Sequence, residues 1–138
     1  MKKIYIIDDD RDIVESLSMV LKANSYEVSA QYNDENVVEN VRGFQPDLII
    51  LDVMFPENSS AGFDIARALK KDSKLAGIPI IMLSAINERG IYVGQFSSQD
   101  VDSAWLPVSA FLDKPVQPKE LLQQVKFILE KQAGPGGA

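Results

Sequence analysis

Four apolar runs of this chain each end on, or just before, a residue able to do chemistry. Asp8-Asp9-Asp10 follows Ile4-Tyr5-Ile6-Ile7, Asp52 follows Leu48-Ile49-Ile50-Leu51, Ser84 follows the run from Ile78 to Leu83, and Lys114 closely follows Ala110-Phe111-Leu112. Three or more carboxylates in one crevice repel one another unless a cation or a raised pKa relieves them. A hard divalent ion with oxygen ligands is the natural remedy, and Mg²⁺ typically takes one or two carboxylates together with phosphate oxygens and water. A carboxylate oxygen can also accept a phosphoryl group as an acyl phosphate. A metal and a lysine ammonium then neutralise the transferring oxygens, and a hydroxyl adds a hydrogen bond. The chain offers one of each: Asp52 as acceptor, the acidic pair, Lys114 and Ser84.

Each residue alone has a plainer reading. The run Asp8 to Asp10 could cap a helix, Asp52 could close a strand in a turn, and Lys114 before a proline could be a solvated loop residue. Their arrival at four successive strand ends favours the chemical reading.

The elements that must position them follow from pattern. The runs at Ile4–Ile7 and Leu48–Leu51 read as strands buried on both faces. Between them, Ile13, Val14, Leu17, Val20 and Leu21 recur at helical spacing over 10–24, with aspartates placed to cap the start. Tyr26 to Gln31 alternates as a strand with one wet face. Asn33 is expected to cap a second helix carrying Val37, Val38 and Val41, with Gly43 as its C-terminal stop. A loop rich in Pro, Asn and Ser leads to a helix with Ile65, Ala66 and Leu69 on one face, and Ile78 to Leu83 is a further apolar strand. Segment 85–108 is the least readable, with one irregular helix expected around Ser98 to Leu106. A short strand at Ala110–Leu112 precedes a last helix opened by Pro118 and carrying Leu121, Leu122, Val125, Ile128 and Leu129. No internal repeat is found. The expected fold class is α/β: a flavodoxin-like (βα)5 doubly wound five-stranded parallel sheet of order 2-1-3-4-5, with helices on both faces. In such sheets ligand chemistry gathers at the carboxyl ends of the strands.

Composition narrows the chemistry further. The 138 residues fit one domain, read as 1–131, with 132–138 a flexible Gly/Pro-rich tail or the start of a linker. There is no cysteine and no histidine, so disulfides, thiol catalysis and imidazole ligands are excluded and any cation must be held by oxygens. Fourteen Lys+Arg against twenty Asp+Glu give a net charge of −6, which argues against direct nucleic-acid binding by this domain. No apolar run is long enough to span a bilayer and Ile4–Ile7 is no signal peptide, which suggests a cytoplasmic protein without membrane contact.

Over residues 2–131 the chain resembles the receiver domains of two-component response regulators, the CheY-like family. The resemblance is carried by Ile6-Ile7-Asp8-Asp9-Asp10, Leu51-Asp52-Val53-Met54-Phe55-Pro56, Ile80-Ile81-Met82-Leu83-Ser84-Ala85 and Phe111-Leu112-Asp113-Lys114-Pro115. It implies that Asp52 is the phosphoacceptor and that Asp8, Asp9 and Asp52 bind Mg²⁺ with the backbone carbonyl of Met54. Asp10 falls outside the pair and is expected to cap the first helix. Ser84 and Lys114 would contact the phosphoryl group, the bond from Lys114 to Pro115 would be cis, and Phe111 would be the aromatic switch that turns inward as Ser84 moves. Ala85 is small, as access to the acceptor requires.

Two features depart from the family pattern. The loop Glu57-Asn58-Ser59-Ser60-Ala61 before Gly62 is longer than usual, and Ser84 and Lys114 stand 30 positions apart, more than is typical. The extra residues fall in 86–108, part of the face that most receivers use for output or dimerisation, so partner surfaces do not transfer. Met54 and Ile86, two positions beyond Asp52 and Ser84, are bulky and apolar and would exclude an attacking water, which predicts a long-lived phosphorylated state.

The function expected is a phosphorylation-controlled signalling module rather than a turnover enzyme. It would receive phosphate from a sensor histidine kinase, a phosphotransfer protein or a small phosphodonor, and act on a downstream protein, an excised output domain or a second copy in a homodimer. Two rivals are a haloacid-dehalogenase-like phosphatase with Asp8 as nucleophile and Asp10 as acid/base, and a phosphate-independent adaptor on the same fold. Against the first, Arg11-Asp12 follows Asp10 and no cap segment is evident; against the second, Asp52 and Lys114 are intact.

Overall fold

A computed structural model of the chain describes residues 2–52, 61–85, 110–114 and 116–133, with the side chains of 61–63, 84–85, 111, 113–114 and 131–133 left aside. The described strands are β1 (Lys3–Ile7), β2 (Glu27–Gln31), β3 (Leu48–Asp52), β4 (Ile80–Ala85) and β5 (Ala110–Lys114). The described helices are α1 (Arg11–Ala23), α2 (Val37–Phe44), α3 (Ala61–Lys71) and α4 (Pro118–Ala133). All strand pairs are parallel and the order is β2-β1-β3-β4-β5, the order expected from the sequence. The helix expected around Ser98 to Leu106 lies outside the described residues.

The sheet is covered on both faces because its central strands alternate between two cores. Ile4 and Ile6 of β1 and Leu48 and Ile50 of β3 face Leu17 and Leu21 of α1 and Leu121, Val125 and Leu129 of α4. Tyr5, Ile7, Ile49 and Leu51 face Val37 and Val41 of α2 and Ile65, Ala66 and Leu69 of α3. This explains the unbroken apolar runs Ile4–Ile7 and Leu48–Leu51, since over those residues neither face of either strand meets water. β2 is an edge strand whose Val28 and Ala30, two positions apart, pack against one core, while Val28, Ser29 and Ala30 are all only partly buried.

Two local expectations are corrected. Asn33 does not cap α2: its Oδ1 accepts the Glu35 N–H at 3.0 Å in a local turn, and the helix begins at Val37 after Asn36, which is left-handed at φ 52°. Gly43 is not the stop, because α2 continues to Phe44 and Gln45 takes the left-handed conformation at φ 56°, its N–H donating to the Val41 carbonyl at 2.8 Å. Both Asn and glycine favour such roles by propensity, and here the packing of Val37, Val41 and Phe44 on the sheet decides the helix length instead. Pro118 opens the last helix as expected.

Candidate functional site

The strand register brings the chemical residues to one rim. Ile7 pairs with Leu51, so one step further along the same register Asp8 and Asp52 stand side by side on adjacent strands. Asp52 pairs with Leu83 and Leu83 with Leu112; Ser84 pairs with Asp113, and Ala85 with Lys114. Ser84 is therefore one position, and Lys114 two positions, beyond the row that holds Asp52, both at carboxyl ends of their strands. Phe111 pairs with Met82, one row before Asp52. These are backbone placements. Met54, Ile86 and Pro115 lie outside the described residues.

Asp8 and Asp52 are buried, at 0 % and 1 % exposure, while Asp9 beside them reaches solvent. One carboxylate oxygen from each of Asp8, Asp9 and Asp52 lies within 4.8 Å of the others. Adjacent oxygens around a single octahedral Mg²⁺ at about 2.1 Å lie about 3 Å apart, and only a trans pair reaches about 4.2 Å. A closing of the cluster by at most about 2 Å therefore lets all three touch one ion. Two buried carboxylates and one accessible carboxylate form an all-oxygen donor set with an open side, which fits a hard divalent cation that keeps water or phosphate oxygens as its other ligands.

The loop carrying the pair is tightly held. The Asp8 N–H donates to the Gln31 carbonyl at 3.2 Å, and the Asp10 N–H donates to Asp8 Oδ1 at 2.9 Å. The Asp10 carboxylate accepts the N–H groups of Asp12 and Ile13 at 3.0 and 3.2 Å, capping α1 as expected. Asp10 is thus engaged in holding the helix start and is not one of the three clustered carboxylates. An acid/base role for Asp10, which the dehalogenase reading needs, would cost that cap.

Sequence reasoning missed a buried polar knot behind this loop. The Tyr5 hydroxyl donates to Gln31 Oε1 at 2.7 Å, and Asn40 Nδ2 donates to the same oxygen at 3.0 Å. Gln31 Nε2 donates to the carbonyls of Asn33 and Glu35 at 2.7 and 3.0 Å. The knot fixes the β2–α2 loop against β1. Its one sequence signal is Tyr5, a hydroxyl-bearing residue inside an otherwise aliphatic run, which must find a partner when buried.

A model of the response regulator receiver domain matches residues 4–126. The chain belongs to the response regulator receiver family. It is 35 % identical over 137 residues to the phosphate regulon transcriptional regulatory protein PhoB of Pseudomonas aeruginosa, covering 98 % of this chain and 54 % of that protein. It is 30 % identical over 131 residues to the DNA-binding response regulator MtrA of Mycobacterium tuberculosis, covering 94 % of this chain and 51 % of MtrA. The chain spans about half the length of the curated relatives it matches. Among solved structures, the N-terminal domain of the nisin resistance regulator NsrR superposes with TM-score 0.74 at 32 % identity, covering 94 % of this chain and 98 % of that one. Chemotaxis protein CheY4 of Vibrio cholerae shares the fold, with TM-score 0.75 at 24 % identity over 91 % of this chain and 97 % of that chain. Receiver membership agrees with the motifs at Asp8, Asp52, Ser84 and Lys114, and the acidic cluster is compatible with Mg²⁺. Among the described residues no helix is long and apolar enough to cross a membrane.

Proposed function

We propose that this receiver is a phosphoacceptor switch in which Asp52 takes a phosphoryl group from the phosphohistidine of a sensor kinase or phosphotransfer protein. The observation that carries this reading is the meeting of the Asp8, Asp9 and Asp52 carboxylates within 4.8 Å at the end of β3. Asp52 Oδ attacks phosphorus in line, the donor's P–N bond breaks, and its electron pair stays with the departing imidazole. Asp8 and Asp9, with Asp52 and the Met54 carbonyl, would hold Mg²⁺, which when bound neutralises charge on the transferring oxygens. Lys114 pairs with a phosphoryl oxygen and the Ser84 hydroxyl donates to another. Phe111 then follows Ser84 inward, shifting the partner-facing surface. The register supports these roles by setting Ser84 and Lys114 on the two strands next beyond Asp52.

The module is not a turnover enzyme, since the group it modifies is its own. We place it in the cytoplasm, with the receiver spanning 1–131 and a tail or linker after it, although α4 itself runs on to Ala133. Its net charge of −6 argues against direct nucleic-acid contact by this domain. Its downstream effect would run through a protein partner, an output domain or a second copy.

Incubation with acetyl phosphate and Mg²⁺, followed by intact mass measurement, tests the proposal. The parent should gain one phosphoryl group, and Asp52→Asn or omission of Mg²⁺ should abolish it. A parent that gains no phosphate would favour the adaptor reading, and an adduct that survives Asp52→Asn would place the nucleophile elsewhere.

A further inference from the structure

The β1–α1 loop is stitched to the end of β2 at two points. The first is the Asp8 N–H to the Gln31 carbonyl. The second is the Arg11 guanidinium, which lies over the Tyr32 ring at 4.2 Å from its centroid. Arg11 is the first residue of α1 and stands only two positions beyond Asp9. Its flexible stem allows the cationic head to lie over the ring or to turn toward the acidic cluster. A guanidinium turned toward carboxylates pairs with them through its fork of N–H donors and takes the oxygens that a divalent cation needs. The ring face attracts the same head electrostatically. The place of that ring is set by its neighbour, because Gln31 is buried and bonded through both its carbonyl and its side chain.

We propose that Tyr32 is a positioning residue that parks the Arg11 guanidinium on its ring and so keeps the Asp8–Asp9–Asp52 cluster open to Mg²⁺. The inference rests on the reading of that cluster as a Mg²⁺ site. An exposed guanidinium–aromatic pair of this kind corresponds to a change of about two- to five-fold in Mg²⁺ affinity.

Calorimetric titration of the full chain with Mg²⁺, in the absence of phosphodonor, provides the test. Tyr32→Ala should weaken Mg²⁺ binding by about two- to five-fold, and Tyr32→Phe, which keeps the ring face, should bind like the parent. In an Arg11→Gln background Tyr32→Ala should have no effect, because no guanidinium is left to park. Equal weakening with and without Arg11 would assign Tyr32 a merely structural role and overturn the proposal, as would an unchanged affinity in Tyr32→Ala. A parent that binds no Mg²⁺ would overturn the reading of the site itself, so the two failures are distinguishable.

Discussion

Gln31 shows how much a single buried side chain can organise. Its amide oxygen accepts from Tyr5 and Asn40 while its amide nitrogen donates to two carbonyls of the β2–α2 loop. Tyr5→Phe removes one of two donors to that oxygen and should cost about 1 kcal/mol in denaturant unfolding. Burial also pushes the Tyr5 hydroxyl above its ordinary value of 10.0. The folded protein therefore favours the neutral phenol, so the related stability is present at neutral pH and is lost as pH rises through the raised value. Tyr5→Phe should flatten that alkaline loss, which a stability profile from pH 8 to 11 would show. At the site, Met54 and Ile86 are proposed to exclude water from the acyl phosphate, and Met54→Asn or Ile86→Glu should shorten its lifetime in a phosphate-release assay. Unchanged release in both variants would remove that account. The acids were legible because each one interrupts an aliphatic run that has no other reason to stop. Gln31 and Tyr32 were not, because polar and aromatic residues at the end of a half-wet edge strand are ordinary there.

Among the elements, α1 was read closely from its sequence, since apolar spacing and the Asp10 cap point to the same start. Asp10→Ala should cost about 1 kcal/mol through the loss of two accepted N–H bonds. Leu21→Ala, at a fully buried position between α1 and the sheet, should cost about 2–5 kcal/mol by thermal or denaturant unfolding. The start and end of α2 were misread for a physical reason. Asn33 spends its carboxamide oxygen on a local turn, and Gln45, with no glycine's freedom, is driven left-handed by the packing that seats Phe44. The strand at 110 was read short: Asp113 and Lys114 look like loop residues by type, yet they pair with Ser84 and Ala85 as the end of β5.

At the scale of the whole molecule, the parallel order was legible because four apolar runs and one alternating strand are interleaved with helical patterns, and the rim that carries the chemistry follows from that order. Away from the rim, Arg42 on α2 and Asp72 after α3 tie the two helices of one face together, with Arg42 Nε donating to Asp72 Oδ2 at 2.9 Å. The Arg42 hydrogen bond holds the Asp72 carboxyl below its ordinary value of 3.8. A depressed carboxyl contributes stability above its unfolded value and loses it as pH falls through the folded one. Arg42→Gln should therefore reduce the loss of stability below about pH 4 relative to the parent, as measured by urea unfolding across the acid range. In sequence, segment 86–108 is where this chain departs furthest from the pattern of its family.

The most direct measurement is a crystal structure of the full chain with Mg²⁺ and beryllofluoride bound. The account predicts the beryllofluoride on Asp52, one Mg²⁺ touching Asp8, Asp9 and Asp52, and Lys114 and Ser84 both within hydrogen-bond reach of the fluorines. An adduct on Asp8, or Lys114 and Ser84 turned away from Asp52 in that complex, would contradict it.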